Sequence, residues 1–147
     1  IYYFTIAFFM QKCYNLNIYM FNSDKILSVQ QAKQLSPVTL AFVGDAVYSL
    51  YVRSGLVLSA DRRAAELQKL SSARVSAHGQ SNLLAKIEGR LTQEEHEIFL
   101  RGRNAKKATK SKNADVAEYN RSTGFEAVLG FLYLTGSEDR IEELLRE

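Results

Sequence analysis

The chain contains few of the residues on which several common protein classes depend. Its 147 residues include one Cys, two His, one Pro and no Trp. A single Cys excludes a disulfide framework and a multi-cysteine zinc site. One Pro and eight Gly argue against an all-β domain, because such a domain needs many tight turns. The composition therefore favours an α-helical fold.

The first 22 residues differ in composition from the rest of the chain. They hold 8 of the 16 aromatic residues, both Met and the only Cys. Ile1–Met10 is apolar, but it has no preceding basic stretch or small-residue cleavage site, and it is shorter than the roughly 18 residues of a membrane span. We therefore interpret residues 1–22 as an atypical extension, either translated upstream sequence or a disordered segment, rather than a targeting segment. Residues 23–147 form one Cys-free domain, for which we expect a cytoplasmic location and no membrane.

The spacing of apolar residues from Ser23 onward predicts one all-α domain of six or seven helices. Ser36 and Pro37 predict a helix start that leads to Gly55, and its apolar positions predict one buried face: Leu40, Val43, Val47, Leu50 and Tyr51. Asp61 is expected to cap a second helix, and residues 71–87 are expected to be continuously helical. A capping box at 92–95, a long helix at 114–134 and a cap at Ser137 predict the remaining helices.

Two acidic residues lie beside glycines in apolar helical segments. Asp45 follows Gly44, and Glu126 lies between Gly124 and Gly130. If the two helices cross at their glycines, the two carboxylates could share a Mg²⁺ ion, which proteins commonly hold through one or two carboxylates. The alternative is structural: a buried Asp45 that caps nearby backbone, and a Glu126 paired with Arg53 or Arg121.

Residues 101–121 carry a concentrated positive charge. Seven Lys and Arg residues stand against two acids there, and no aromatic residue lies in the lysine-rich part of the segment. Such a loop suits contacts with the phosphates of a nucleic-acid duplex better than base stacking, although a solvated loop is the alternative. The candidate RNA contacts are Arg101, Arg103, Asn104, Lys106, Lys107, Lys110 and Lys112, with Arg74, Ser76 and Gln80 as weaker candidates.

Several segments, in this order, resemble the ribonuclease III family. Residues 40–47 (LAFVGDAV) are similar to its signature helix, and residues 123–127 (TGFEA) are similar to its later acidic segment. Residues 101–106 and 125–134 resemble the compact branch called Mini-ribonuclease III. The resemblance covers about residues 35–147 and leaves no room for a separate double-stranded-RNA-binding domain. Three family acids are replaced here by Val38, Ala41 and Thr123, which leaves the number of metal ions open.

The resemblance implies a Mg²⁺-dependent endoribonuclease that hydrolyses double-stranded RNA. Asp45 and Glu126 would be its catalytic and metal-binding residues. It also implies a homodimer formed through the signature helix, and precursor 23S ribosomal RNA as the substrate. A large-subunit ribosomal protein is a further candidate partner. The main alternative is a non-catalytic RNA-binding module on the same fold, and an all-α protein-interaction domain is a weaker one.

Overall fold

The computed structural model describes residues 26–105 and 116–146. Over these two ranges the chain forms seven α-helices, one 3-10 turn and no strand, which confirms the all-α expectation. The helices are α1 (Val29–Gln34), α2 (Pro37–Ser59), α3 (Ala64–Val75), α4 (Ala77–Ile87), α5 (Gln93–Arg103), α6 (Val116–Leu134) and α7 (Glu138–Leu145). The predicted extension at 1–22 and four predicted RNA contacts lie outside the described residues: Lys106, Lys107, Lys110 and Lys112.

Most helix starts follow the local sequence signals. The Ser36 hydroxyl accepts a hydrogen bond from the Thr39 amide, and Pro37 occupies the first turn of α2. Both hydrogen bonds of the predicted capping box form at the start of α5. The Glu95 carboxylate accepts from the Thr92 amide, and the Thr92 hydroxyl accepts from the Glu95 amide. Gly136 has a φ of 72°, which suits the turn between α6 and α7. These boundaries are set locally.

Three predicted boundaries were wrong. Helix α2 continues past Gly55 to Ser59, because Leu56 is buried and because the Arg62 guanidinium donates to the Leu56 carbonyl at 2.8 Å. Asp61 does not cap α3, whose N-cap is Arg63 without a side-chain hydrogen bond. The continuous helix expected at 71–87 is broken at Ser76, whose extended backbone ends α3 and begins α4.

The buried face of α2 also differs from the prediction. Its buried positions are Leu40, Ala41, Gly44, Tyr48, Val52 and Leu56. The predicted face shares only Leu40 with this set, and Leu50 and Tyr51 are exposed. Apolar residues lie on both sides of α2, so their spacing alone did not distinguish the side that packs on α6 from the side that stays exposed.

Helix α6 forms the centre of the domain and packs chiefly on α2, with α5 and α4 on its other sides. Its buried residues include Phe125 and Leu129, and the Phe125 ring meets Tyr48 of α2 edge to face at 5.2 Å. By length and hydropathy alone α2 is the one helix among the described residues that could cross a membrane. Helix α2 packs on α6, and 33% of its most apolar stretch is buried in the domain.

Candidate active site

Helices α2 and α6 touch backbone to backbone. A Cβ atom on Gly44 would lie 1.7 Å from the Glu126 carbonyl oxygen, and one on Gly130 would lie 1.9 Å from the Leu40 carbonyl oxygen. Any side chain at either position would push the helices apart, so both glycines are required by the close approach. The helices therefore cross at their glycines, as the acidic site predicted from the sequence requires.

The crossing brings the two predicted acids to one junction. Asp45 is the residue after Gly44, and Glu126 is the residue whose backbone Gly44 touches. Asp45 is exposed to solvent, while Glu126 is half-buried. An exposed Asp45 does not fit the alternative of a buried, backbone-capping aspartate. One arginine suggested as a structural partner for Glu126 is engaged elsewhere, since Arg121 donates to the Glu88 carboxylate at 3.0 Å.

The Glu126 carboxylate accepts a hydrogen bond from an uncharged donor. The side-chain nitrogen of Gln80 lies 3.0 Å from Glu126 Oε1 and 3.1 Å from the Val75 carbonyl oxygen. Gln80 is only 1% exposed, which contradicts its role as a weaker RNA-contact candidate. Its partner is 46 residues away in the chain. No local sequence signal could have linked the two.

The two carboxylates suit a hard divalent cation. Within residues 26–105 and 116–146, no group of three or more His, Cys, Asp or Glu side chains forms a closed metal cage. A Mg²⁺ ion does not need one, because it usually keeps several waters and takes one or two carboxylates together with substrate phosphate oxygens. Asp45, which is exposed, and Glu126, which is half-buried, are ligands of the type that such a partly hydrated ion takes.

In the described part of the basic segment, Arg101 has different surroundings from Arg103 and Asn104. Arg101 donates to the carbonyl oxygens of Lys33 and Leu35, at 2.9 and 3.0 Å, and so ties α5 to the end of α1. The Arg103 guanidinium lies 5.9 Å from the centre of the Phe99 ring and donates to the exposed Asn104. Arg103 and Asn104 are thus placed at the end of α5, where the lysine-rich segment begins.

Arg74, the remaining predicted RNA contact, lies on a different surface. It lines an apolar groove of about 700 Å³ along α2, which Tyr133 of α6 and Ile141 of α7 also line. Four of the five residues predicted to form the buried face also line this groove: Val43, Val47, Leu50 and Tyr51. Nearby Phe42 and Leu58 are 81% and 87% exposed. An apolar surface of this extent is typical of a contact with another molecule.

The chain is similar to proteins of one known family. The Ribonuclease III domain profile matches residues 38–137, which contain all of α2 except its first residue, the whole of α3 through α6, and both acids. The chain belongs to the ribonuclease III family. Asp45 and Glu126, the two acids predicted from the resemblance, fall inside the matched region.

The relatives place the chain in the compact branch of that family. It is 45% identical over 113 residues to Mini-ribonuclease 3 of Streptococcus pneumoniae, covering 76% of this chain and 88% of that protein. It is 45% identical over 117 residues to Mini-ribonuclease 3 of Staphylococcus aureus, covering 78% and 87%. A crystal structure of a Fusobacterium nucleatum protein superposes with a TM-score of 0.69 at 33% identity, covering 76% of this chain and 88% of that one. The resemblance to Mini-ribonuclease III is confirmed, and the chain is an endoribonuclease of the ribonuclease III type.

Proposed function

We propose that this ribonuclease cleaves double-stranded RNA with a Mg²⁺ ion held by Asp45 and Glu126. The observation that carries the proposal is the contact of Gly44 with the Glu126 backbone, which brings the two acidic positions to one junction. The ribonuclease III family acts on double-stranded RNA, which supports the choice of substrate. Bound there, Mg²⁺ would lower the pKa of a water molecule and offset the charge that develops on the scissile phosphate.

The two carboxylates have different parts in this proposal. Asp45 is exposed, so it is the residue that can meet both the hydrated ion and an incoming phosphate. Glu126 is half-buried and held by the Gln80 amide, so it provides a ligand whose orientation the core determines. We expect hydrolysis to leave a 5′-phosphate and a 3′-hydroxyl. Asp45 is expected to be the more essential of the two.

A homodimer is part of the proposal, because one site cuts one strand and a duplex has two. Two sites related by a two-fold axis would cut both strands. The apolar groove beside α2, together with the exposed Phe42 and Leu58, supports α2 as the contact surface between two copies. The groove also carries opposite charges, Arg62 and Arg74 against Glu138 and Glu142, which can pair across an isologous contact.

The proposal also includes the residues that contact RNA and the biological substrate. Arg103 and Asn104 lead into the lysine-rich segment, and we propose that this end of α5 meets the phosphates. Arg101 and Arg74 stay candidates, although the first is bonded to backbone carbonyls and the second lines the groove. We propose precursor 23S ribosomal RNA as the cytoplasmic substrate, with a large-subunit ribosomal protein as a candidate partner.

The test compares purified wild-type protein with Asp45→Asn and Glu126→Gln on a long RNA duplex, with Mg²⁺ and with EDTA. The matched control is Asp61→Asn, an exposed carboxylate-to-amide change before α3. We expect cleavage by the wild type and the control with Mg²⁺ only, and a loss of at least a hundredfold in both site variants. Duplex binding without cleavage by the wild type, even on precursor 23S RNA, would favour the non-catalytic binding module instead.

A further inference from the structure

Gln80 is the most deeply buried polar side chain at the α4–α6 contact. It is 1% exposed, yet it carries an amide whose nitrogen is shared between the Glu126 carboxylate and the Val75 carbonyl. Burying an amide costs free energy unless hydrogen bonds replace those to water. Two hydrogen bonds satisfy the amide nitrogen.

The amide oxygen of Gln80 is not satisfied in the same way. It is fully buried and has no hydrogen-bond partner among the described residues. Rotating the amide by 180° would aim this oxygen at two acceptors, so the hydrogen bonds determine its orientation. An unpartnered buried acceptor destabilises a fold, and packing alone would favour an apolar side chain here.

We propose that Gln80 is a positioning residue, which holds the Glu126 carboxylate in the orientation that binds the divalent ion. This inference rests on the proposed function. The hydrogen bond from the Gln80 amide to Oε1 restricts the rotation of the Glu126 carboxylate. An uncharged amide is suited to this task, because an arginine in its place would offset the negative charge that attracts the ion.

A purely structural role is the competing explanation, since Gln80 also binds the last carbonyl of α3. Ser76 provides the matched control, because its hydroxyl caps the same α3–α4 junction. That hydroxyl accepts from the Gly79 amide at 3.1 Å and donates to the Ala73 carbonyl at 2.9 Å. Ser76→Ala therefore weakens the junction without removing the hydrogen bond to Glu126.

The experiment measures Mn²⁺ binding without RNA, by titration followed with electron paramagnetic resonance, alongside the melting temperature. Mn²⁺ takes the same oxygen ligands as Mg²⁺. Gln80→Met keeps an unbranched side chain of similar length without polar atoms, and Gln80→Leu is the second variant should the first not fold. We expect Gln80→Met to weaken Mn²⁺ binding about tenfold with little change in melting temperature. Ser76→Ala should lower the melting temperature and leave Mn²⁺ affinity within about twofold.

A double-mutant cycle completes the test. In a Glu126→Gln background, Gln80→Met should cause no further loss of Mn²⁺ affinity, because its effect passes through the Glu126 carboxylate. Unchanged affinity in Gln80→Met, or an equal loss in Ser76→Ala, would overturn the positioning role alone. A wild-type protein that binds no Mn²⁺ would overturn both this role and the proposed metal site.

Discussion

Two regions of the domain hold a glutamate against the core, and they do so by different means. At the α5–α7 junction, Glu95 accepts hydrogen bonds from Arg140 at 2.8 and 3.0 Å and from the Thr92 amide at 2.8 Å. At the α2–α6 crossing, Glu126 accepts from the neutral Gln80 amide. The first arrangement pairs the carboxylate with an opposite charge and is typical of a structural ion pair. The Gln80 amide instead contributes a hydrogen bond without a charge, which is the arrangement we expect if Glu126 binds a cation as proposed.

The surroundings of Glu95 also affect its pKa. Burial by itself would raise the pKa of this carboxyl group, but the hydrogen bonds and the charge of Arg140 outweigh burial and hold it below its ordinary value. The same ion pair and the neighbouring Glu143 raise the pKa of Arg140. Both groups are therefore charged near neutral pH.

The largest effect is expected from breaking the crossing itself. Gly44→Ala should lower the free energy of unfolding by about 4 kcal/mol or more, because its Cβ would overlap backbone that cannot move aside cheaply. Gly55→Ala on the same helix is the control, since a Cβ there meets nothing within 4 Å. It should stabilise the protein by about 0.5 kcal/mol. Urea denaturation measures both, and equal effects would contradict the close approach.

The next effect separates the two glutamates. Glu95→Gln should cost about 2 kcal/mol of stability, because it leaves the largely buried Arg140 without its main charged partner. Glu126→Gln should cost less than about 1 kcal/mol, because the new amide oxygen can still accept from Gln80. Urea denaturation near neutral pH compares them. A larger stability loss from Glu126→Gln would assign Glu126 a structural role.

Binding of a divalent ion should stabilise only one of the two regions. Mg²⁺ at about ten times its dissociation constant should add about 1.4 kcal/mol to the stability of the wild type. At that Mg²⁺ concentration we expect the same gain for Glu95→Gln, but little or none for Asp45→Asn. Thermal melts with and without Mg²⁺ measure this difference. An equal gain in Asp45→Asn would place the ion elsewhere.

The smallest expected effect is a dependence on pH at the structural glutamate. Because the pKa of Glu95 is lower in the folded protein, its contribution is fully present above the ordinary value of 4.5. The contribution is lost as the pH falls below that value and through the lower folded pKa. Urea denaturation between about pH 5 and pH 3 should therefore show a steeper loss in the wild type than in Glu95→Gln. Parallel slopes would contradict this assignment.

Local signals in the sequence were sufficient for much of this structure. The caps at Ser36 and Thr92 depend on residues within one helical turn of each other, and the all-α class follows from the spacing of apolar residues. The motifs around Asp45 and Glu126 were also recognisable from residue order alone. Both the candidate acids and the family could therefore be named before any coordinates.

Contacts distant in sequence decided the rest. The true buried face of α2 depends on how closely α6 approaches Gly44, and the continuation of α2 past Gly55 depends on the burial of Leu56. The partner of Glu126 lies 46 residues away on α4. By itself the sequence determined the helical class, the family and the two candidate acids, because residue type and local order specify helices and motifs. Only the tertiary structure decided which side chains hold those residues in place, because that depends on how the helices pack.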